Sequence, residues 1–154
     1  MTMKLEDALA QARTIKVLLE AELERTEAER AALRSVDAQT ILGHATTREL
    51  FSSRARAEVA DFQAKAAAAL GLPAGRALTR DAVRAVAMKE PLARPLHAAM
   101  MELASLARAL DQRYRRNQTL AERALACVRG YLSALAPRPV AYTRRGSVPS
   151  LSNL

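Results

Sequence analysis

Residue types that support catalysis or metal binding are few in this sequence and lie far apart. His44 and His97 fall on different predicted helices, and neither has a His, Cys or carboxylate three or four positions away. A metal-binding helical face needs that spacing. Cys127 has no local base to activate it, so we interpret it as a small buried hydrophobe. Without a glycine-rich phosphate loop or paired carboxylates, the sequence predicts no catalytic residues, no metal site, no cofactor and no enzymatic activity.

Asn117 is the one polar side chain in a long apolar stripe that steps by threes and fours along the C-terminal half. The stripe comprises Leu96, Met100, Leu103, Ala107, Leu110, Tyr114, Asn117, Ala121, Ala124, Val128, Tyr131 and Leu135. A buried amide without a partner costs roughly 1–3 kcal/mol. Two interpretations stay open: the amide is paired inside a helical bundle, where it would fix register, or the stripe leaves the core at this point.

A basic cluster lies beside this stripe. The net charge is +8, and the surplus falls in the second half of the chain, where Arg113, Arg115, Arg116 and Arg123 lie close together. Such charge attracts nucleic acid, membrane phosphates or an acidic protein surface. Aromatic residues make up only 3% of the chain, and base stacking on single strands needs them. A helical nucleic-acid-associated or regulatory protein that uses these arginines remains the alternative function.

Composition predicts the elements that carry these residues. The 154 residues are enough for one domain, and the 50% that are hydrophobic are mostly Ala and Leu, both strong helix formers. Glycine is scarce and β-branched residues do not cluster, so the fold class is all-α. The first residues lack the apolar core of a signal peptide, and no stretch is apolar enough to cross a bilayer. We therefore expect a soluble cytoplasmic protein.

Periodicity and capping residues predict three long helices and one short helix, at about 4–34, 38–70, 79–89 and 95–136. Ser35 and Asp37 offer capping oxygens for the second helix, and Thr79 offers one for the third. The last helix would be about 60 Å long, so we expect an elongated antiparallel bundle over residues 1–136. Residues 137–154 are expected to form an irregular, flexible, basic C-terminal tail.

The last predicted helix is longer than the two helices that would pack beside it. Past Asn117 its stripe thins to Ala121 and Ala124 before Val128. Part of its apolar surface would then lack an internal partner and form a shallow groove for an incoming amphipathic helix. A coiled-coil adaptor, in which this helix pairs with its own copy, is a further alternative.

Three segments together resemble the FlgN family of flagellar export chaperones. They are LLEAELERTEAERAALRSVDAQTIL at 18–42, RRNQTLAERALACVRGYLSAL at 115–135, and AYTRRG at 141–146. The last is similar to a Tyr-Gly-x-x-Gly-like element in the family's tail. Here Thr143 stands where the family has a glycine, and Arg144 and Arg145 stand where the family often has an acidic residue.

The resemblance implies a cytoplasmic α-helical chaperone without catalysis. It would bind the C-terminal helices of hook-associated junction proteins (FlgK/FlgL-like) and deliver them to the flagellar type III export gate, without membrane insertion. The client-binding residues implied are Asn117, which marks the start of the surface, and Leu120, Ala124, Val128, Tyr131 and Leu135. Tyr142 would correspond to the family's tail tyrosine that docks at the export gate.

Overall fold

The computed structural model describes residues 2–72 and 78–135, and every element in these ranges is helical. The elements are α1 Thr2–Ser35, α2 Ala38–Ala69, α3 Arg80–Lys89, a 3₁₀ turn at Pro91–Ala93, and α4 Arg94–Leu135. The all-α prediction is confirmed, with helix ends within one or two residues of those expected. Tail residues 137–154, including Tyr142, lie outside the described residues, so the predicted domain boundary stays a prediction.

Asp37 and Thr79 form N-caps as predicted, whereas the Ser35 hydroxyl donates to the Ala31 and Ala32 carbonyls within α1 at 3.3 and 3.1 Å. The Asp37 carboxylate accepts a hydrogen bond from the Thr40 backbone N–H at 3.1 Å, and the Thr79 hydroxyl accepts one from Ala82 at 3.2 Å. Each bond satisfies one of the amide groups that a helix start leaves without an intrahelical partner. The hydrogen bonds to Thr40 also hold the pKa of Asp37 below its usual value.

The helices α1 and α2 end with the same type of backbone hydrogen bond. Asp37 N–H donates to the Ala32 carbonyl at 3.1 Å, and Leu72 N–H donates to the Ala67 carbonyl at 3.0 Å. This six-to-one bond defines a Schellman motif and requires a left-handed residue just before the donor. Gly71 takes that conformation after α2 with φ 64°. The equivalent position after α1 is Val36, with φ 54°.

α1 lies between α2 and α4. It runs antiparallel to α2, since Gln11 bonds to Glu58 at one end and Arg25 bonds to the His44 carbonyl near the other. It runs parallel to α4, since ion pairs join Lys16 to Glu102 and Glu27 to Arg113. The backbones of α2 and α4 approach each other much less closely than either approaches α1. A central α1 therefore sets the positions of the other two long helices.

The hydrophobic core forms around the N-terminal part of α1 and ends partway along α4. Its buried members are Ala8, Ala12, Ile15, Leu19, Phe62, Ala66, Leu70, Val83, Ala87, Ala93, Leu96 and Leu110. α3 and the 3₁₀ turn cover this region, whereas the C-terminal part of α4 contributes nothing to it. No helix of the described ranges is long and apolar enough to span a lipid bilayer.

Candidate partner-binding surface

Asn117 is buried, with 4% of its surface exposed, and it is paired inside the bundle. Its Nδ2 donates to the Thr26 carbonyl oxygen and to Glu29 Oε2, both at 2.9 Å. It is also the last buried residue of α4. Both interpretations therefore describe the same position: the amide is bonded within the bundle, and the stripe leaves the core immediately after it.

A second polar group lies one turn before Asn117. Arg25 donates to both carboxylate oxygens of Glu22 at 2.7 and 2.6 Å, and the Tyr114 hydroxyl donates to the same carboxylate. The Arg48 guanidinium lies 3.8 Å from the centre of the Tyr114 ring, a cation–π distance. Burial and the Glu22 carboxylate raise the pKa of Tyr114 above its usual value, and the Glu22 hydrogen bond raises that of Arg25. These contacts join all three long helices.

We call these two groups the polar layer: Glu22, Arg25, Thr26, Glu29, Arg48, Tyr114 and Asn117. Of its members, only Asn117 was predicted from the sequence to have a role in the bundle. The signal for the α1 members was present, because α1 carries its own stripe stepping by fours and threes. That stripe comprises Ala8, Ala12, Ile15, Leu19, Glu22, Thr26, Glu29 and Leu33, all buried. Its polar stretch faces the polar stretch of the α4 stripe, so the two interruptions coincide in space.

α4 extends past the end of the helix that supports it. Residues that pair between α1 and α4 are separated by 86 to 92 positions, as in Lys16–Glu102 and Glu22–Tyr114. At an offset of 88, as in Glu29–Asn117, the end of α1 at Ser35 is level with about residue 123 of α4. α2 begins just after this turn and runs back along α1. The remaining residues to Leu135 project about 18 Å beyond the turn, at 1.5 Å per residue.

This projecting segment carries exposed apolar side chains, which we call the overhanging strip. They are Leu125 (49% exposed), Val128 (40%), Tyr131 (68%), Leu132 (61%) and Leu135 (64%). Three of the predicted client-binding residues belong to it: Val128, Tyr131 and Leu135. Leu120 and Ala124 are half-buried at its base, and Asn117 is buried beneath them. The predicted gate-docking residue Tyr142 lies outside the described residues.

Cys127 corrects one sequence-based expectation. It was interpreted as a small buried hydrophobe, but its side chain is exposed. The interpretation was wrong because α1 and α2 meet before they reach this level of α4, so nothing in the described ranges covers it. Cys127 follows Arg123 by four positions and therefore lies on the next turn of the same face. It is a native labelling position at the edge of the overhanging strip.

The four clustered arginines divide into two pairs with different surroundings. Arg113 bonds to Glu27 at 2.5 Å, and Arg115 bonds to Asp111 at 2.9 Å. Arg116 and Arg123 instead line a surface concavity of about 290 Å³ together with two arginines of α1. Its full lining is Arg30, Arg34, Arg116, Thr119, Leu120 and Arg123. We call this concavity the arginine pocket.

A separate apolar groove runs between α2 and α4, with α1 as its floor. Its volume is about 260 Å³, and its lining residues are Ile15, Leu18, Leu19, Ala55, Val59, Phe62, Gln63, Leu78, Met100, Leu103, Ala104 and Ala107. It exists because α2 and α4 stay apart. The groove was not predicted from the sequence, because the apolar pattern of a single helix does not determine how far apart two helices lie on either side of a third.

Two features of the site are thus established: a polar layer that ends the core, and an apolar helix end that projects past it. Comparison with known proteins identifies the family to which the chain belongs. Searches of characterised proteins and of solved structures found no significant match. A comparison with protein families matches the FlgN protein family over residues 1–150. The chain therefore belongs to the FlgN family, whose members are cytoplasmic, non-enzymatic chaperones of flagellar export that serve hook-associated proteins.

Proposed function

We propose that this chain binds the C-terminal helical segment of hook–filament junction proteins of the FlgK/FlgL type and delivers them to the export gate. The client-binding surface is the overhanging strip together with Leu120 and Ala124 at its base. Asn117 marks the boundary of this surface from inside the bundle and does not itself contact the client. Residues 1–136 act as the chaperone domain, and the basic tail 137–154, through Tyr142, acts in docking at the gate.

The single observation that supports this proposal is the apolar end of α4 beyond the α1–α2 turn. Every described residue from 125 to 135 is exposed, and five of them are large apolar or aromatic side chains. Exposed apolar patches rimmed by polar residues are typical of protein interaction sites. An amphipathic client helix laid along this strip would take the place that α1 occupies along the rest of α4.

The shape of the surface also fits reversible binding. A chaperone that acts without nucleotide hydrolysis has to release its client at the gate, which favours a shallow strip of moderate affinity over a deep pocket. Only part of the strip belongs to one face of α4, so a single client helix would bury a few side chains. Burying each one fully is worth about 1.5–3 kcal/mol, and ordering the client helix offsets part of that gain.

The decisive experiment removes the apolar side chains without adding charge. Val128→Ser combined with Leu135→Ser should weaken binding of the C-terminal fragment of the hook-associated protein from the same genome at least about tenfold. Fluorescence anisotropy of the labelled fragment measures the affinity. The matched control is Val17→Ser with Leu50→Ser, which changes the same residue types at positions 64% and 68% exposed elsewhere.

Three outcomes separate the possibilities. Weakened binding in the strip variant and normal binding in the control support the proposal, provided that circular dichroism shows unchanged helicity. Normal binding in the strip variant would place the client elsewhere. The apolar groove between α2 and α4 is then the next candidate surface. Val59→Gln, at a partly exposed position on the rim of the groove, would weaken client binding if the client lies there.

A nucleic-acid function is the second candidate, and one observation favours it: the four guanidinium groups of the arginine pocket. Another observation disfavours it, since Arg113 and Arg115 already pair with carboxylates of the chain. Anisotropy with duplex and single-stranded oligonucleotides at two salt concentrations distinguishes it. Submicromolar binding at physiological salt that is lost on neutralising Arg116 and Arg123 would favour it over the chaperone proposal.

A further inference from the structure

We propose that the arginine pocket binds carboxylate side chains of the client segment, next to the apolar contacts of the overhanging strip. This inference rests on the proposed function and adds a second, charged element of recognition to it. The pocket would take a short acidic stretch of a polypeptide, with guanidinium groups from two helices facing its carboxylates. Arginine forms paired, charge-assisted hydrogen bonds with carboxylates, which makes it the residue type that fits this ligand.

The pocket brings together charges that are far apart in the chain. Arg30 and Arg34 lie one turn apart on α1, while Arg116 and Arg123 lie two turns apart on α4. They meet because α1 and α4 run parallel at the offset that the Glu29–Asn117 bond displays. Thr119 and Leu120 complete the lining, so one side of the pocket is apolar.

Six cations elsewhere on the described helices pair with carboxylates of the chain. Lys16, Arg25, Arg54, Lys65, Arg113 and Arg115 each lie within 4.0 Å of a carboxylate. Within residues 2–72 and 78–135, no ion pair or side-chain hydrogen bond involves any of the four arginines of the pocket, whereas the Thr119 hydroxyl donates to the Arg115 carbonyl at 3.0 Å. Arg34 lies in the last turn of α1, where its positive charge interacts favourably with the helix dipole. That role does not extend to the other three arginines.

Four like charges around one concavity repel one another, so the arrangement is most stable when an anion occupies it. The neighbouring carboxylates are engaged elsewhere: Glu27 with Arg113, Glu29 with Asn117, and Glu122 with Gln118. The anion that the pocket accepts therefore comes from outside the described part of the chain.

Continuity with the overhanging strip favours a polypeptide over a nucleic acid. Leu120 belongs to the pocket lining and precedes Ala124 and Val128 by four and eight positions, so it lies on the same side of α4 as these two residues. A client helix with its apolar face on the strip would bring acidic side chains one turn away into the pocket. Single-stranded nucleic acid instead needs a basic groove along its backbone with aromatic stacking. Here the exposed large apolar residues past the cluster are aliphatic except for Tyr131.

The test uses the full-length chain and the labelled C-terminal fragment of the hook-associated protein, at about 0.05 M and about 0.5 M salt. Arg34→Gln with Arg123→Gln should weaken binding about tenfold at low salt and less than twofold at high salt. The matched control, Arg56→Gln with Arg108→Gln, removes two exposed charges outside the pocket. A second fragment has the acidic residues of the client segment changed to amides. At low salt, its affinity for the parent chain should be as weak as the affinity of the native fragment for the pocket variant.

The results that contradict the inference differ from those that contradict the proposed function. If the pocket variant binds like its control, or the amide fragment binds like the native one, the pocket does not recognise carboxylates. The overhanging strip could still bind the client in that case. If the pocket variant loses affinity only for an oligonucleotide duplex, the pocket is a phosphate site and the inference is wrong. If the parent chain does not bind the native fragment at either salt concentration, the proposed function fails and takes the inference with it.

Discussion

Asn117 matters because it satisfies two α1 groups at one level of the bundle. Its amide donates hydrogen bonds to the Thr26 carbonyl and the Glu29 carboxylate, and only 8% of the surface of Glu29 is exposed. A buried carboxylate is tolerated only where hydrogen bonds or opposite charges compensate for its lost hydration. A slip of α4 by one turn would remove this donor from Glu29, so the polar layer specifies the register of α1 against α4.

Asn117→Leu tests this role. The substitution makes the α4 stripe fully apolar, yet we expect the free energy of unfolding to fall by about 1–3 kcal/mol, because Glu29 would stay buried without its donor. Urea unfolding followed by circular dichroism measures the change.

Two companion variants complete this test. Combining Asn117→Leu with Glu29→Leu should cost less than the sum of the single changes, since both partners then leave together. Gln118→Leu, at an exposed amide on the next position, should stay within about 0.5 kcal/mol of the parent. A single Asn117→Leu variant as stable as the parent would contradict the register role.

The ends of α1 and α2 share one motif but fill its special position differently. Val36 has φ 54° at the position where Gly71 has φ 64°. The left-handed conformation costs an L-residue roughly 1–2 kcal/mol, and a β-branched side chain is rare there. The α1–α2 turn is therefore strained, and its Val36 side chain is 53% exposed at the same end of the bundle as the overhanging strip.

A pair of opposite substitutions checks this account. Val36→Gly should raise the free energy of unfolding by about 0.5–1 kcal/mol, the relief of strain minus the flexibility that glycine adds to the unfolded chain. Gly71→Ala should lower it by about 1 kcal/mol. Nothing lies within 4 Å of a Cβ placed at Gly71, so that loss reflects backbone conformation alone. Urea midpoints of the two variants moving in the same direction would contradict the assignment.

The whole protein combines a closed end and an open end. At the closed end, α3 and the N-terminal part of α4 complete the core around Val83 and Leu96, both fully buried. At the open end, α1 turns into α2 while α4 continues with no neighbour among residues 2–72 and 78–135. Under the proposed function, stability and client binding belong to different parts of the molecule, so that a client would bind and leave without disturbing the core.

Two truncations test this division. A chain that stops after Ala124 should keep its free energy of unfolding within about 1 kcal/mol of the parent and should lose client binding, because residues 125–135 are all exposed. A chain that stops after Leu135 should keep both properties. Unfolding of the shorter chain would show that the overhang supports the bundle, and intact client binding by it would exclude the strip as the client surface.

What the sequence determined by itself is local. The all-α class, the four helices and their ends follow from apolar spacing and from capping residues such as Asp37, Thr79 and Gly71, each read within a few neighbouring positions. The apolar stripe of α4 and its interruption at Asn117 were also visible in this way. So was the resemblance to the FlgN family, which the family comparison confirms.

Tertiary structure alone decided how the helices lie against one another. The offset between α1 and α4 brings Asn117 to Glu29, pairs Arg113 with Glu27, gathers Arg34 and Arg123, and leaves Cys127 exposed. No local window contains this offset, because it depends on packing between residues nearly ninety positions apart. A periodic stripe indicates which face of a helix can be buried, but only the neighbour's length and register determine where that burial stops.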